Sequence, residues 1–314
     1  MTLKVRARDM TQESDEAPSL VERAARLMES VPSPAPAPAP AQTKAEADAA
    51  AKATATGTAA VNGHARGSTP GTPSPRLEVD LAGLKARGYL TPQTMGTHLA
   101  EEMRLIKRTV LHRFRERAET RQRTNMIQVT SAEPGAGKSF IALNLAMSLA
   151  CELDLHVLLI DGDCWQPDVL ARLGVEAEAG LLDALADPEM DLARVIHPTT
   201  VPRLSIMGAG ARRQLTSELL GSDRMRRVAE ELAGRYPDRL IIFDSSPLLA
   251  AAEAAVVAEI VGQILVVVEA DKTERATLEE ALDLLPPAAE PALVLNKGKA
   301  RTGASQLYYH RYIK

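Results

Sequence analysis

Apolar residues are distributed differently in the two parts of the chain. From about residue 125 onward, short apolar runs repeat, and each is followed by a longer segment with helical periodicity. This alternation is typical of α/β proteins, in which right-handed crossovers place helices on both faces of a mostly parallel sheet. We therefore predict such a sheet, with its ligand at the carboxyl ends of the strands. The predicted strands are residues 126–130, 156–161, 204–207, 240–244, 264–268 and 292–296.

Two amphipathic patterns precede the predicted sheet. Residues 18–30 and residues 97–119 each place apolar side chains on one helical face, with charged residues elsewhere. The first pattern is so short that a nascent helix in a disordered tail remains the alternative. Between them, residues 31–76 consist mainly of Pro, Ala, Thr, Gly and Ser. That composition cannot bury enough side chain to offset the entropy lost on ordering, so it predicts a disordered linker.

Length and composition favour one folded core with appended segments. A chain of 314 residues with 45% hydrophobic content can bury an α/β core of roughly 200 residues. The expected organisation is an amino-terminal segment (1–30), a linker (31–76), a helical lead-in (77–124), a nucleotide-binding domain (125–300) and a tail (301–314).

Charge and cysteine content indicate the cellular compartment and the classes of binding partner. A net charge of −4 gives no concentrated basic face, so nucleic acid is not an expected partner. Cys151 and Cys164 lie in apolar segments without metal-ligand spacing, which fits a reducing compartment. The start of the sequence lacks the apolar core of a signal peptide, and the longest apolar runs are too short to cross a bilayer. We expect a cytoplasmic protein that reaches the membrane only through a partner.

The strongest chemical motif is SAEPGAGKS, residues 131–139, between a predicted strand and a predicted helix. Its glycines let backbone N–H groups curl around phosphate oxygens, Lys138 adds positive charge at the β- and γ-phosphates, and Ser139 can ligate Mg²⁺. This is a P-loop, although Ala132 stands where the usual pattern has its first glycine. The predicted nucleotide-binding residues are Gly135, Ala136, Gly137, Lys138, Ser139, Phe140 and Asn296.

Three aspartates end apolar strands after the P-loop. Asp161 and Asp163 close the strand in HVLLIDGDCWQP, where one carboxylate could hold Mg²⁺ and the other could accept a proton. Asp244 closes the strand in RLIIFDSSP, as the Walker B carboxylate does. A lone aspartate at a strand end is often only a turn former or a helix cap. Three of them after a P-loop favour a metal and catalytic role.

Two further features involve the last predicted strand and the tail. Asn296 ends ALVLNK, and its side-chain amide could pair with the adenine edge or could only cap the following turn. The tail QLYYHRYIK concentrates three of the five tyrosines of the chain, Tyr308, Tyr309 and Tyr312. They could be modified groups on a mobile segment, or aromatic side chains that dock the tail onto the body.

These motifs together resemble the bacterial tyrosine autokinases, in particular the soluble type associated with exosortase and exopolysaccharide gene clusters. The resemblance covers residues 97–314 and, more loosely, the helix predicted near residue 20. It implies ATP and Mg²⁺ as cofactors and a protein-tyrosine kinase that regulates exopolysaccharide polymerisation and export. By position, Lys138 would bind phosphate and Asp161 would activate or orient the attacking tyrosine hydroxyl. The metal would be held by Ser139, Asp163 and Asp244, and the acceptors would be Tyr308, Tyr309 and Tyr312.

The resemblance also implies partners. The segment with Glu101, Arg104 and Lys107 resembles the ExxRxxR element through which subunits of the family assemble into rings. Lysine in the third place keeps the charge but loses the planar fork of arginine. In relatives of this type, an inner-membrane polysaccharide chain-length regulator supplies the activating contact, so the chain is expected at the inner membrane as a peripheral protein.

Departures from the family pattern keep two alternatives open. Trp165 stands where many relatives have a basic residue after the second aspartate, which would also suit a catalytically weak scaffold of the export complex. A switch ATPase of the partition or division-site type has the same core but places a lysine early in the phosphate loop. Here that position is Glu133, so the alternative lacks its characteristic residue.

Overall fold

The structure, a computed structural model, describes residues 74–117, 125–212, 215–235 and 239–298. The helix predicted at 18–30, nearly all of the predicted linker and the three tail tyrosines lie outside these residues. The description below concerns only the folded unit that begins at Ser74.

A seven-stranded sheet with the order β3-β4-β2-β5-β1-β6-β7 forms the centre of this unit. All neighbouring strands pair in parallel except β3 and β4, which pair antiparallel. The predicted mostly parallel sheet is therefore confirmed. The strands are β1 (Met126–Ser131), β2 (His156–Gly162), β3 (His197–Pro198), β4 (Leu204–Met207), β5 (Arg239–Ser245), β6 (Gln263–Glu269) and β7 (Ala292–Asn296).

Helices cover both faces of the sheet, and the side chains of β2 show why. Val157 and Leu159 pack into one hydrophobic cluster, whereas Leu158 and Ile160 pack into a second cluster. Since successive strand residues point to opposite faces, a strand that is apolar throughout must be covered on both sides. The helices are α1 (Leu81–Ala86), α2 (His98–Arg117), α3 (Lys138–Leu149), α4 (Val169–Leu173), α5 (Leu181–Ala186), α6 (Thr216–Leu220), α7 (Asp223–Arg235), α8 (Glu253–Ile260) and α9 (Arg275–Asp283).

The helix predicted at 97–119 is α2, which packs against α3. Its buried positions include Met103, Val110 and Leu111, as the amphipathic pattern predicts. In the part of the chain that the structure describes, no helix combines the length and the apolar content needed to cross a bilayer.

Two of the last three residues of the predicted linker form hydrogen bonds with the core. The Ser74 hydroxyl donates to the carbonyl of Ala193 at 2.8 Å, and the Arg76 Nε donates to the carbonyl of Thr199 at 2.9 Å. Ordered contacts therefore begin before residue 77, where composition alone placed the end of the linker.

Candidate nucleotide-binding site

The P-loop lies between the end of β1 at Ser131 and the start of α3 at Lys138. Gly135 has φ +89° and Gly137 has φ +99°, conformations that favour glycine. A Cβ on Gly137 would also lie 2.1 Å from the Asn296 Nδ2, so a side chain there would displace the Asn296 amide. Ala132 is not among the residues with positive φ, which explains why alanine is accommodated at the first position of the motif. The loop presents the N-terminus of α3 to an anion.

Lys138 and Asp163 form the central ion pair of the site. The Lys138 Nζ lies 2.7 Å from the Asp163 Oδ2, and the Ser246 hydroxyl donates to the Asp163 Oδ1 at 2.9 Å. Burial would raise the pKa of Asp163, but the hydrogen bond from Lys138 and its charge, with the bond from Ser246, bring that pKa below its usual value. Burial would lower the pKa of Lys138, yet the charges of Asp244 and Asp163 raise it overall. Both groups are therefore charged at neutral pH.

Asp161 and Asp244 lie side by side, because they are register partners at the ends of β2 and β5. The Asp161 Oδ2 accepts a hydrogen bond from the Val169 N–H at 3.0 Å, whereas its Oδ1 has no partner. Neither carboxylate oxygen of Asp244 has a partner of good hydrogen-bond geometry. Burial, with the nearby Asp244 charge, raises the pKa of Asp161 to about 8. Burial also raises the pKa of Asp244 to about 7, although the charge of Lys138 and the Ser139 hydroxyl oppose that rise.

These unpartnered carboxylate oxygens fit a cation. Uncompensated buried carboxylates are costly, and a divalent ion with its water ligands would compensate them. Among the described residues, no group of three or more His, Cys, Asp and Glu side chains could hold a metal by itself. A Mg²⁺ ion would thus combine Ser139 and a carboxylate such as Asp244 with phosphate oxygens and water.

A cavity of about 670 Å³ opens beside the P-loop. Asp161 does not line it, although the sequence groups Asp161 with Asp163. It lines a neighbouring cavity with Leu170 and Gly210 instead. Asp244 is fully buried beneath the loop. The residues lining the P-loop cavity include Gly135, Lys138, Ser139, Phe140, Asp163, Trp165, Arg172 and Ser246.

Asn296 lies against the P-loop. Its Nδ2 donates to the Ala136 carbonyl at 2.8 Å, and the adjacent Lys297 Nζ donates to the Gly135 carbonyl at 2.7 Å. The predicted contact between Asn296 and adenine stays a prediction, since the amide nitrogen here binds the loop itself.

Sequence reasoning missed two arginines of this site. The guanidinium of Arg212 lies 4.1 Å from the centroid of the Trp165 ring, so a cation is present next to the position where the sequence lacks one. Arg172 lines the cavity and bonds to Asp168 and to the Tyr89 hydroxyl. These hydrogen bonds, above all the one that Arg172 donates to the Asp168 carboxylate, raise the pKa of Arg172. No local motif marks either residue, because both reach the site through the tertiary fold.

The residues predicted to assemble subunits already have partners within the chain. Arg104 pairs with Glu101 and donates to the Met95 carbonyl at 2.7 Å. The Lys107 Nζ lies 2.6 Å from the Glu152 carboxylate. Contacts with another subunit through these side chains would have to replace or extend these pairs.

Strand, glycine-rich loop and helix, with strand-end carboxylates in a parallel sheet, define the class: this chain is a P-loop NTPase-fold protein. A family model described as ParA, NUBPL iron-transfer P-loop NTPase, matches residues 122–218.

Within that class, several curated relatives of the chain are named bacterial tyrosine-protein kinases, which confirms the expected resemblance to the bacterial tyrosine kinases. The tyrosine-protein kinase ptk of Acinetobacter johnsonii is 32% identical over 161 residues, which are 51% of this chain and 21% of that protein. The tyrosine-protein kinase YwqD of Bacillus subtilis is 28% identical over 212 residues, 67% of this chain and 86% of that protein. The chain thus spans about a fifth of the first of these relatives and most of the second.

A solved structure gives the same assignment. The kinase domain of the Escherichia coli tyrosine kinase ETK superposes with a TM-score of 0.56 at 26% identity, covering 74% of this chain and 94% of that domain.

Proposed function

We propose that this chain is an ATP- and Mg²⁺-dependent protein-tyrosine kinase that phosphorylates its own carboxyl-terminal tyrosines and regulates exopolysaccharide polymerisation and export. The observation that carries the proposal is the Lys138–Asp163 ion pair on a P-loop, beside buried carboxylate oxygens of Asp161 and Asp244 that have no hydrogen-bond partner. The names of the homologues support the same activity.

We infer a separate task for each residue of the site. The N-terminus of α3 and Lys138 would bind the phosphates, with Lys138 shifting from Asp163 toward them. Ser139, Asp163 and Asp244 would hold the metal. When bound there, ATP would supply the γ-phosphoryl group and Mg²⁺ would offset its negative charge.

Asp161 would activate or orient the acceptor hydroxyl. Its raised pKa, about 8, suits a group that takes up a proton near neutral pH. Because it is buried and lines the neighbouring cavity, an acceptor would reach it only after the β2–α4 segment moves.

Tyr308, Tyr309 and Tyr312 are the proposed acceptors, with transfer in trans between subunits of a ring assembled through Glu101, Arg104 and Lys107. Phosphoryl transfer needs the hydroxyl in line with the γ-phosphate, and a tail segment can supply that approach. We also propose an inner-membrane chain-length regulator as the activating partner, so the chain would work in the cytoplasm at the membrane surface.

A switch ATPase of the partition type is the second candidate, and the match to the ParA family model favours it. Against it, the early loop position occupied by lysine in that class is the exposed Glu133 here.

The proposal is tested by intact mass of the purified chain before and after treatment with a tyrosine phosphatase. A kinase should carry added phosphate that the phosphatase removes and that is missing from Lys138→Met. ATP hydrolysis without any phosphorylated species, with the partner supplied, would favour the switch ATPase.

A further inference from the structure

The chain contains one tryptophan, and it lies in the wall of the P-loop cavity. Trp165 follows Asp163 by two residues in the segment between β2 and α4. Its side chain is 43% exposed and belongs to neither hydrophobic cluster. Tryptophan rings are on average much more buried than this. The ring therefore contributes little to the core, and its exposed surface is open to a ligand.

Other elements hold the indole in one orientation. The Trp165 Nε1 donates to the Glu253 Oε1 at 3.1 Å, at the start of α8. The same carboxylate oxygen accepts a hydrogen bond from the Ser217 hydroxyl. Arg212 lies over one side of the ring, 4.1 Å from its centroid. A ring held in this way loses little conformational entropy when a second ring packs against it.

The position of Trp165 indicates which part of a bound complex it would meet. It lies on the side of the P-loop where Lys138 pairs with Asp163, the side assigned to the terminal phosphate. Asn296 and Lys297 contact the loop from β7, which lies beyond β1 and β6 in the sheet order. A group on the indole would thus lie next to the transferred phosphoryl group, away from the side on which Asn296 contacts the loop.

We infer that Trp165 forms a binding subsite for the phenol ring of the acceptor tyrosine. Edge-to-face or offset stacking on the indole would hold the acceptor at the terminal-phosphate side, with Arg212 supporting the ring from the other side. The inference rests on the proposed kinase function. It assigns an acceptor-positioning role to Trp165, at a position where the family resemblance led us to expect a basic residue.

The first experiment uses Trp165 as its own probe. The full chain, with Mg²⁺ and a non-hydrolysable ATP analogue, is titrated with the peptide QLYYHRYIK while indole emission is recorded. We expect saturable emission changes with this peptide and with its Tyr→Phe version, which keeps the rings. The Tyr→Leu version should bind at least several-fold more weakly. Equal binding of the Leu peptide would overturn the subsite.

The second experiment measures steady-state transfer to the same peptide. Trp165→Leu should raise the KM for the peptide roughly two- to tenfold, the range expected for loss of one aromatic pair. Trp165→Phe should restore most of the affinity, and both variants should keep the ATP affinity of the unaltered chain. Leu153→Ala, a truncation at an 82% exposed position that does not line the cavity, is the matched control.

The two hypotheses fail in different ways. Transfer with an unchanged peptide KM in Trp165→Leu would overturn the subsite and leave the kinase proposal intact. Ring-dependent binding at Trp165 without any transfer would overturn the kinase proposal, and Trp165 would then bind tyrosine rings without an acceptor role. A loss of ATP affinity in Trp165→Leu equal to the loss of peptide affinity would mean that the ring supports the nucleotide, and would also overturn the acceptor subsite.

Discussion

The two sides of the P-loop differ in how their polar groups are satisfied. On the β7 side, Asn296 and Lys297 donate to loop carbonyls, and Lys297 also pairs with Glu269 at 3.1 Å. On the β2 and β5 side, Asp161 and Asp244 retain buried oxygens without hydrogen-bond partners. The side chains on the β7 side fix the shape of the loop through hydrogen bonds that need no ligand. The carboxylates on the β2 and β5 side need a ligand to compensate their charge. We therefore place the phosphotransfer reaction on the β2 and β5 side.

This difference has an energetic reason. A buried carboxylate without partners destabilises a fold, and burial here raises the pKa values of both aspartates. A sequence selected only for stability would replace them by neutral or apolar side chains. Strongly shifted pKa values are concentrated at functional sites. Substitutions on this side of the loop therefore test the difference between its two sides most directly.

The largest effect is expected at Lys138, with Lys297 on the other side of the loop as the comparison. Lys138→Met should reduce phosphotransfer at least about 100-fold, since a cation at the transferred group is lost. Lys297→Met is the matched control on the β7 side, where the lost group is an exposed lysine that contacts one loop carbonyl. Calorimetry gives the ATP affinity of both variants, and turnover assays give their phosphotransfer. Comparable losses of phosphotransfer in the two variants would refute the functional difference between the two sides of the loop.

Asp161→Asn should separate binding from chemistry. The substitution keeps the shape of the side chain and removes its capacity to take a proton. We expect ATP affinity close to that of the unaltered chain, with phosphotransfer reduced by about 100-fold or more. The affinity is measured by calorimetry and the transfer by intact mass. Equal phosphotransfer in the variant would remove Asp161 from the mechanism.

The stability of the nucleotide-free chain should fall as pH rises. The pKa of Asp161 is about 8 and that of Asp244 about 7 in the folded chain, against a usual value of 3.8. The folded state therefore binds more protons than the unfolded state between about pH 4 and pH 8, and stability decreases as those protons leave.

Thermal melting across this pH range measures the effect. Asp161→Asn should flatten the slope, because it removes one of the two titrating groups. A melting temperature that rises from pH 5 to pH 8 in the unaltered chain, or an identical slope in the variant, would contradict the assigned protonation.

The smallest effect is expected at Asn296. Asn296→Ala removes one hydrogen bond to the Ala136 carbonyl and should weaken ATP binding only a few-fold. Comparing ATP with GTP sharpens the result. A loss restricted to ATP would support the predicted adenine contact, whereas equal losses for both nucleotides would assign Asn296 to the shape of the loop.

The sequence was sufficient for much of the fold because its signals are local. Six apolar runs predicted β1, β2, β4, β5, β6 and β7 to within one residue at each end. The strand β3 was missed, since two residues carry no periodicity. The P-loop and the strand-end aspartates were found because their chemistry is written in consecutive residues.

The missing parts of the site depend on long-range packing. Arg212 and Glu253 meet Trp165 only when the segments after β4 and β5 approach the end of β2. The sequence indicates the loss of a cation at Trp165, whereas the fold brings the Arg212 guanidinium next to that ring. The burial that raises the pKa of Asp161 is likewise a property of the packed sheet, so the different environments of Asp161 and Asp163 could not be anticipated from their spacing.

The most direct test of the kinase account mixes two variants of the full chain. Lys138→Met offers unaltered tail tyrosines without catalysis, and the second chain keeps its P-loop but has Phe at positions 308, 309 and 312. With ATP, Mg²⁺ and the membrane regulator present, mass spectrometry should find phosphate on the tail of the Lys138→Met chain. A clean tail on that chain, while the second chain turns over ATP and the unaltered chain is also unphosphorylated, would contradict the central claim.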